Sequence, residues 1–93
     1  MELKEKVFRE VCKIPLGETR TYKEIAKAVK TSPRVVAKIL SQNLELIKIP
    51  CHRIICANGK IGGYTFKGKR KDKMKIKLLR KEGVKIKYNR IAN

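Results

Sequence analysis

The chain has 93 residues, room for one small domain with a modest core. Apolar residues make up 42%, a globular share that argues against disorder along the whole chain, and no apolar run approaches the roughly 18 residues of a membrane span. Twenty-five Lys and Arg against eight Asp and Glu give a net charge of +17. That excess makes a polyanion the expected partner. Double-stranded DNA, with about one charge per 1.7 Å of axis, is the best match.

Leu3, Val7, Phe8, Val11 and Cys12 recur at helical spacing and predict an amphipathic helix over residues 3–13, with Cys12 on its buried face. Ile14-Pro15-Leu16-Gly17 breaks it. Thr21-Tyr22-Lys23-Glu24 reads as a capping box opening a short helix with Ile25, Ala26, Ala28 and Val29 apolar. Ser32-Pro33 supplies an N-cap and a first-turn proline for another, with Val35, Val36, Ile39 and Leu40 toward the core. Arg34 and Lys38 lie four apart on a different face of that helix. The two helices, joined near Lys30-Thr31, form a helix-turn-helix candidate whose second helix, residues 33–42, faces DNA.

Residues 44–49 read as extended, Ile54, Ile55 and Cys56 as a strand, and Asn58-Gly59 as a tight turn. A basic helix is predicted over residues 67–81 on the apolar stripe Met74, Leu78 and Leu79, with Gly83 closing it. Val84, Ile86 and Tyr88 alternate with lysines as a short final strand. Residues 67–90 carry a net +10, whereas residues 1–30 carry only +3. The expected fold class is α/β, mainly helical: a winged-helix-like helix-turn-helix domain with short strands.

Three cysteines (Cys12, Cys51 and Cys56) and the single His52 suit neither a disulfide framework nor a zinc finger, so no metal is expected. The dense chemistry lies in Pro50-Cys51-His52-Arg53. A thiol becomes a strong nucleophile as thiolate, an imidazole can accept its proton, and a carboxylate can hold the imidazole in the right tautomer. Adjacency alone does not establish contact, because neighbours on a strand face opposite ways.

Ile49-Pro50-Cys51-His52-Arg53-Ile54 resembles the active-site signature of the O6-alkylguanine-DNA alkyltransferases, also called methylated-DNA–protein-cysteine methyltransferases. Other motifs resemble the family in the same order. Ile14-Pro15-Leu16-Gly17-Glu18-Thr19-Arg20-Thr21-Tyr22 resembles the lead into the DNA-binding helix pair. Ser32-Pro33-Arg34-Val35-Val36 resembles the recognition helix. Asn43 stands eight residues before Cys51, as the hinge asparagine does. Gly62-Gly63-Tyr64-Thr65 resembles the glycine-tyrosine-serine loop, and Leu78-Leu79 with Glu82-Gly83 the closing motif. Together these cover about residues 7–83.

The resemblance implies DNA repair by a single-turnover transferase without a cofactor. It would act on double-stranded DNA containing O6-alkylguanine, as a monomer, in the cytoplasm with the nucleoid. The damaged guanine is flipped into a pocket and its alkyl group passes to a cysteine. By resemblance Cys51 is the nucleophile, His52 the base acting through water, and Glu82 its orienting partner. Asn43 braces the turn, and Tyr22 contacts the flipped nucleotide's phosphate and supplies a proton toward guanine. Substrate contacts fall on the Ile54 carbonyl, Tyr64 and Thr65, where the family usually has serine. DNA contacts fall on Arg34 as the finger filling the base stack, with Tyr22, Ser32, Lys38 and Arg53.

Residues 1–93 are expected to form one DNA-binding and catalytic domain, lacking the family's N-terminal ribonuclease-H-like domain. Ala37 and Lys38 stand where small glycines are usual, and Leu44 and Leu46 where prolines are usual. The stretch between Thr65 and Glu82 looks longer and more basic than the family's. Two rivals share much of this pattern, an alkyltransferase-like lesion binder without transfer activity and a helix-turn-helix regulator; a third reading makes the chain a fragment or domain of a larger repair protein, for example one fused to a nuclease. The first commonly carries tryptophan for the nucleophile, whereas this chain keeps Cys51 and has no Trp. The second has no use for a Cys-His pair with a matched Glu.

Overall fold

A computed structural model of the chain describes residues 2–42, 50–62, 65–66 and 69–92, with backbone alone for 65–66 and 69–70. Helix α1, Leu3–Cys12, buries Val7 and Val11 one turn apart. Cys12 is exposed, contrary to expectation. It stands one residue past the buried line, at the helix end, and Ile14 beyond the helix fills the core instead.

The two-residue strand β1, Arg20–Thr21, runs directly into α2, Tyr22–Ala28. Its predicted capping box is complete: Glu24 N donates to Thr21 Oγ1, and Thr21 N to Glu24 Oε1, each at 3.0 Å. Such a cap is worth about 1 kcal/mol. Helix α3, Pro33–Ser41, starts as predicted, with Ser32 Oγ accepting from Val35 N at 3.3 Å. Between them Lys30 takes a left-handed φ of 59°. Thr31 N reaches back to Ala26 O at 2.9 Å, and Lys30 N to Lys27 O at 3.4 Å. That pairing is a Schellman closure, and it makes the sharp turn of the helix pair.

A single 3-10 turn, Cys51–Arg53, feeds β2, Ile54–Ile55, which pairs in parallel with β1. Successive strand residues face opposite ways. Ile54 accordingly joins a core with Val7, Val11, Ile14, Ile25, Ala26, Val36, Leu40 and Cys51, while Ile55 joins Ile61, Leu79 and Val84. Strand β2 is thus the wall between two hydrophobic clusters. Asn58-Gly59 forms the expected turn: Gly59 has φ 86°, and Cys56 N donates to Lys60 O at 2.9 Å.

Strands β3, Thr65–Phe66, and β4, Lys69–Arg70, pair antiparallel, and helix α4 spans Asp72–Lys81. The helix predicted from residue 67 therefore starts at 72; residues 67–71 offer no apolar side chain to extend its stripe. Leu79 is buried as a stripe residue, but Met74 is exposed and Lys75 is completely buried. Lys75 sits one turn before Leu79 on the same helix face, and Met74 is rotated off it. Val84 N donates to Leu79 O, and Gly83 N to Arg80 O, each at 3.0 Å, with Gly83 at φ 91°. This second Schellman motif packs Val84 onto Leu79 and leaves Glu82 as the C-cap.

The final strand is a hairpin, β5 at Ile86–Lys87 and β6 at Arg90–Ile91. Tyr88, expected in the strand, is at the turn with Asn89, at φ 52° and 60°. A two-residue loop matching strand twist demands positive φ at both positions. The architecture is the helix-turn-helix-like, mainly helical fold expected. Among the described residues no helix is long and apolar enough to cross a membrane.

Candidate active site

Pro50 is buried and leads into the 3-10 turn, which places Cys51 and His52 side by side against the first core. Cys51 is 5% exposed and His52 is fully buried. Helix α4 packs against this turn and delivers Glu82 from thirty residues downstream. His52 Nε2 lies 2.9 Å from Glu82 Oε2. An ionised carboxylate only accepts hydrogen bonds, so Nε2 carries the proton and Nδ1 is the basic nitrogen.

Arg53 completes the arrangement. Its Nε donates to Glu82 Oε1 at 2.9 Å and its Nη2 to Glu82 Oε2 at 2.8 Å, a bidentate pair. Its Nη1 donates to Ile14 O at 2.8 Å, tying in the loop after α1. In the same loop Gly17, at φ 87°, lies so near α4 that a Cβ there would stand 3.2 Å from Glu82 O. Arg53, expected among the DNA contacts, therefore has its guanidinium turned inward on three protein bonds.

The charge states follow from these contacts. The Arg53 hydrogen bonds hold Glu82 below the usual carboxylate range, against some desolvation, with His52 helping. Burial pushes His52 below its ordinary value, outweighing the pull of Glu82; Arg53 and Lys75 push the same way. His52 is thus neutral at pH 7 beside an ionised Glu82, as a proton acceptor must be.

A second group of side chains surrounds Gly62. That residue is at φ 76°, and a Cβ there would meet Cys56 Sγ at 3.0 Å, the Tyr22 ring at 3.8 Å and Lys75 Nζ at 3.9 Å. The Lys75 ammonium is 5.7 Å from the Tyr22 ring centroid, within cation–π range. Lys75 escaped the sequence reading although its spacing to Leu78 and Leu79 places it on the buried stripe. Ile54 is buried in the first core, with its backbone paired to Arg20. Thr65 has its backbone in β3, which lies beside α3. Asn43 and Tyr64 lie outside the described residues.

Helix α3 presents Arg34 in its first turn and Lys38 one turn on, both exposed. Ser32 is exposed and occupied in capping. The molecule thus offers two exposed cations at helical spacing on α3 and, at the Cys51–Arg53 turn, a buried thiol and an imidazole paired with a carboxylate.

Comparison with known proteins agrees with this geometry. Residues 2–84 match the family model described as 6-O-methylguanine DNA methyltransferase, DNA binding domain. The chain is 55% identical over 80 residues to the methylated-DNA–protein-cysteine methyltransferase of Saccharolobus solfataricus, covering 86% of this chain and 50% of the relative. The chain spans about half the length of the curated relatives it matches. Among solved structures, S. pombe Atl1 in complex with damaged DNA containing O6-carboxymethylguanine superposes with a TM-score of 0.80 at 30% identity, covering 91% of this chain and 79% of that one. Mycobacterium tuberculosis OGT in complex with DNA superposes at 0.78 with 36% identity, covering 88% and 50%. With the match running through the helix pair, the Cys-His-Arg turn and the Glu82 cap alike, the chain belongs to the 6-O-methylguanine DNA methyltransferase family, as its DNA-binding domain.

Proposed function

We propose that residues 1–93 act as one DNA-binding and catalytic unit that removes an alkyl group from O6-alkylguanine in duplex DNA and keeps it on Cys51. The observation that carries this reading is the 2.9 Å pairing of His52 Nε2 with Glu82 beside the thiol. Neutral His52 takes the Cys51 proton at Nδ1, through a water, and the resulting imidazolium is stabilised by Glu82. The thiolate attacks the alkyl carbon. A carbon–sulfur bond forms, the carbon–O6 bond breaks, and its electron pair stays on guanine, which gains a proton from the Tyr22 hydroxyl. The thioether is stable, so each molecule reacts once.

Helix α3 holds the duplex, with Arg34 filling the space left by the flipped base and Lys38 on the backbone. Asn43 braces the turn, and the Ile54 carbonyl, Tyr64 and Thr65 line the base pocket. This work takes place on the chromosome, in the cytoplasm of a prokaryote. The test is intact-protein mass measurement after incubation with a duplex carrying one O6-methylguanine. Gain of one methyl group, abolished by Cys51→Ala, is the expected result. No gain, with preferential binding to the lesion, would make the protein a lesion binder instead.

A further inference from the structure

The strongest unexplained feature is the outer face of α4. At about 100° per residue, Lys73, Lys77 and Arg80 fall within an arc of about 60°, directly opposite the buried Lys75 and Leu79. With Ile76 they line a shallow concavity of about 360 Å³. The two acidic residues of the region, Asp72 and Glu82, lie off this arc, and Glu82 is held by His52 and Arg53. Among the described residues no ion pair engages Lys73, Lys77 or Arg80. These three cations are part of a net charge of +17, and folding gains nothing from clustering them on one helix face.

We infer that this face is a second binding surface for the phosphodiester backbone of duplex DNA, distinct from α3. Lys73 to Arg80 spans about 10 Å of helix, close to three nucleotide steps at about 3.4 Å each. Strand β2 separates the cluster under α4 from the cluster built on α1–α3. The two basic surfaces therefore belong to different layers of the molecule. They engage different backbone segments, either two flanks of one duplex or two duplexes. The inference rests on the reading of the chain as a binder of duplex DNA, and the two fail separately.

The experiment compares the wild-type chain with Lys73→Gln/Lys77→Gln/Arg80→Gln, which keeps much of each stem, on undamaged duplex by fluorescence anisotropy over a salt series. Far-ultraviolet dichroism and thermal unfolding verify the fold. At about 0.9 per phosphate contact, the slope of log K against log salt becomes shallower by about 2 to 3, with affinity at low salt down about 10- to 100-fold. The same reduction is expected in an Arg34→Gln/Lys38→Gln background. An unchanged slope overturns the second surface and leaves the DNA-binding reading intact. A reduction that disappears in the α3 background also overturns it, because the two helices then serve one contact. Absence of duplex binding by the wild-type chain overturns both.

Discussion

The two hydrophobic clusters on either side of β2 are built in different ways. The first joins three helices, of which α2 and α3 open on side-chain caps from Thr21 and Ser32. The second gathers β2, α4 and two-residue strands, with left-handed backbone at Gly59, Gly62, Gly83, Tyr88 and Asn89. Helix-on-helix burial needs only periodic apolar residues and good caps. Short hairpins need particular φ values, and the chain supplies glycine at only some of them. The Cys51–Arg53 turn lies where the clusters meet: Cys51 packs into the first, and Glu82 comes from the helix that anchors the second.

That division can be broken first at its bridge. Glu82→Gln is expected to slow alkyl transfer by about 10²- to 10⁴-fold while DNA affinity stays near wild type, because the amide neither pairs fully with Arg53 nor stabilises an imidazolium. Single-turnover kinetics alongside anisotropy would check it, and an unchanged rate removes Glu82 from the mechanism. Next come the two faces of β2. Ile54→Ala should cost about 3–4 kcal/mol and Ile55→Ala about 2–3 kcal/mol in urea unfolding. One shared transition in both variants means the clusters unfold together; a separate early transition in Ile55→Ala means the second opens alone.

Acidity sharpens the comparison further. The folded chain disfavours charged His52, so below about 6.5 the unfolded chain takes up a proton that the folded chain resists, and stability falls with pH. Glu82 is lowered from 4.5, so its contribution is complete above that value and is lost as pH falls through the folded one. Chemical denaturation between pH 8 and 4 should therefore show a decline beginning at about 6.5. Glu82→Gln should remove the carboxylate's share of the loss below about 4.5 and deepen the His52 share, because Glu82 is the group that pulls His52 up. The smallest effect belongs to the second cluster's edge: Tyr88→Gly should stabilise by about 0.5–1 kcal/mol, since an L-residue is strained at positive φ. Equal or lower stability would show that the contact of the exposed ring with the Lys87 ammonium, 5.5 Å from its centroid, offsets the strain.

What could be read from the sequence follows the same line. Thr21-Tyr22-Lys23-Glu24 and Ser32-Pro33 carry their structure within four residues, and the helix pair came out as written there. Asn58-Gly59 is equally local. The start of α4 is not marked in the sequence, because lysines suit a helix and a solvated strand alike and nothing apolar stands at the boundary. Tyr88 alternates like a strand residue, and only the pairing of Ile86 with Ile91 across the hairpin turns it into a loop. For the site, Cys51 and His52 were visible as neighbours, and Glu82 through resemblance. The inward role of Arg53 was not visible, because it depends on the Ile14 carbonyl and a carboxylate brought from the far end of α4.

The position of Glu82 also sets the order in which reactivity can arise during synthesis. Cys51 and His52 emerge from the ribosome well before the helix that orients them, and the cap carrying Glu82 closes only when Gly83 and Val84 have followed. Until α4 docks, the imidazole has no fixed tautomer and the thiol has no oriented acceptor. Under the proposed function, a nascent or partly unfolded chain thus holds Cys51 in an unactivated form, and a thiol that reacts only once is not consumed before the domain is complete.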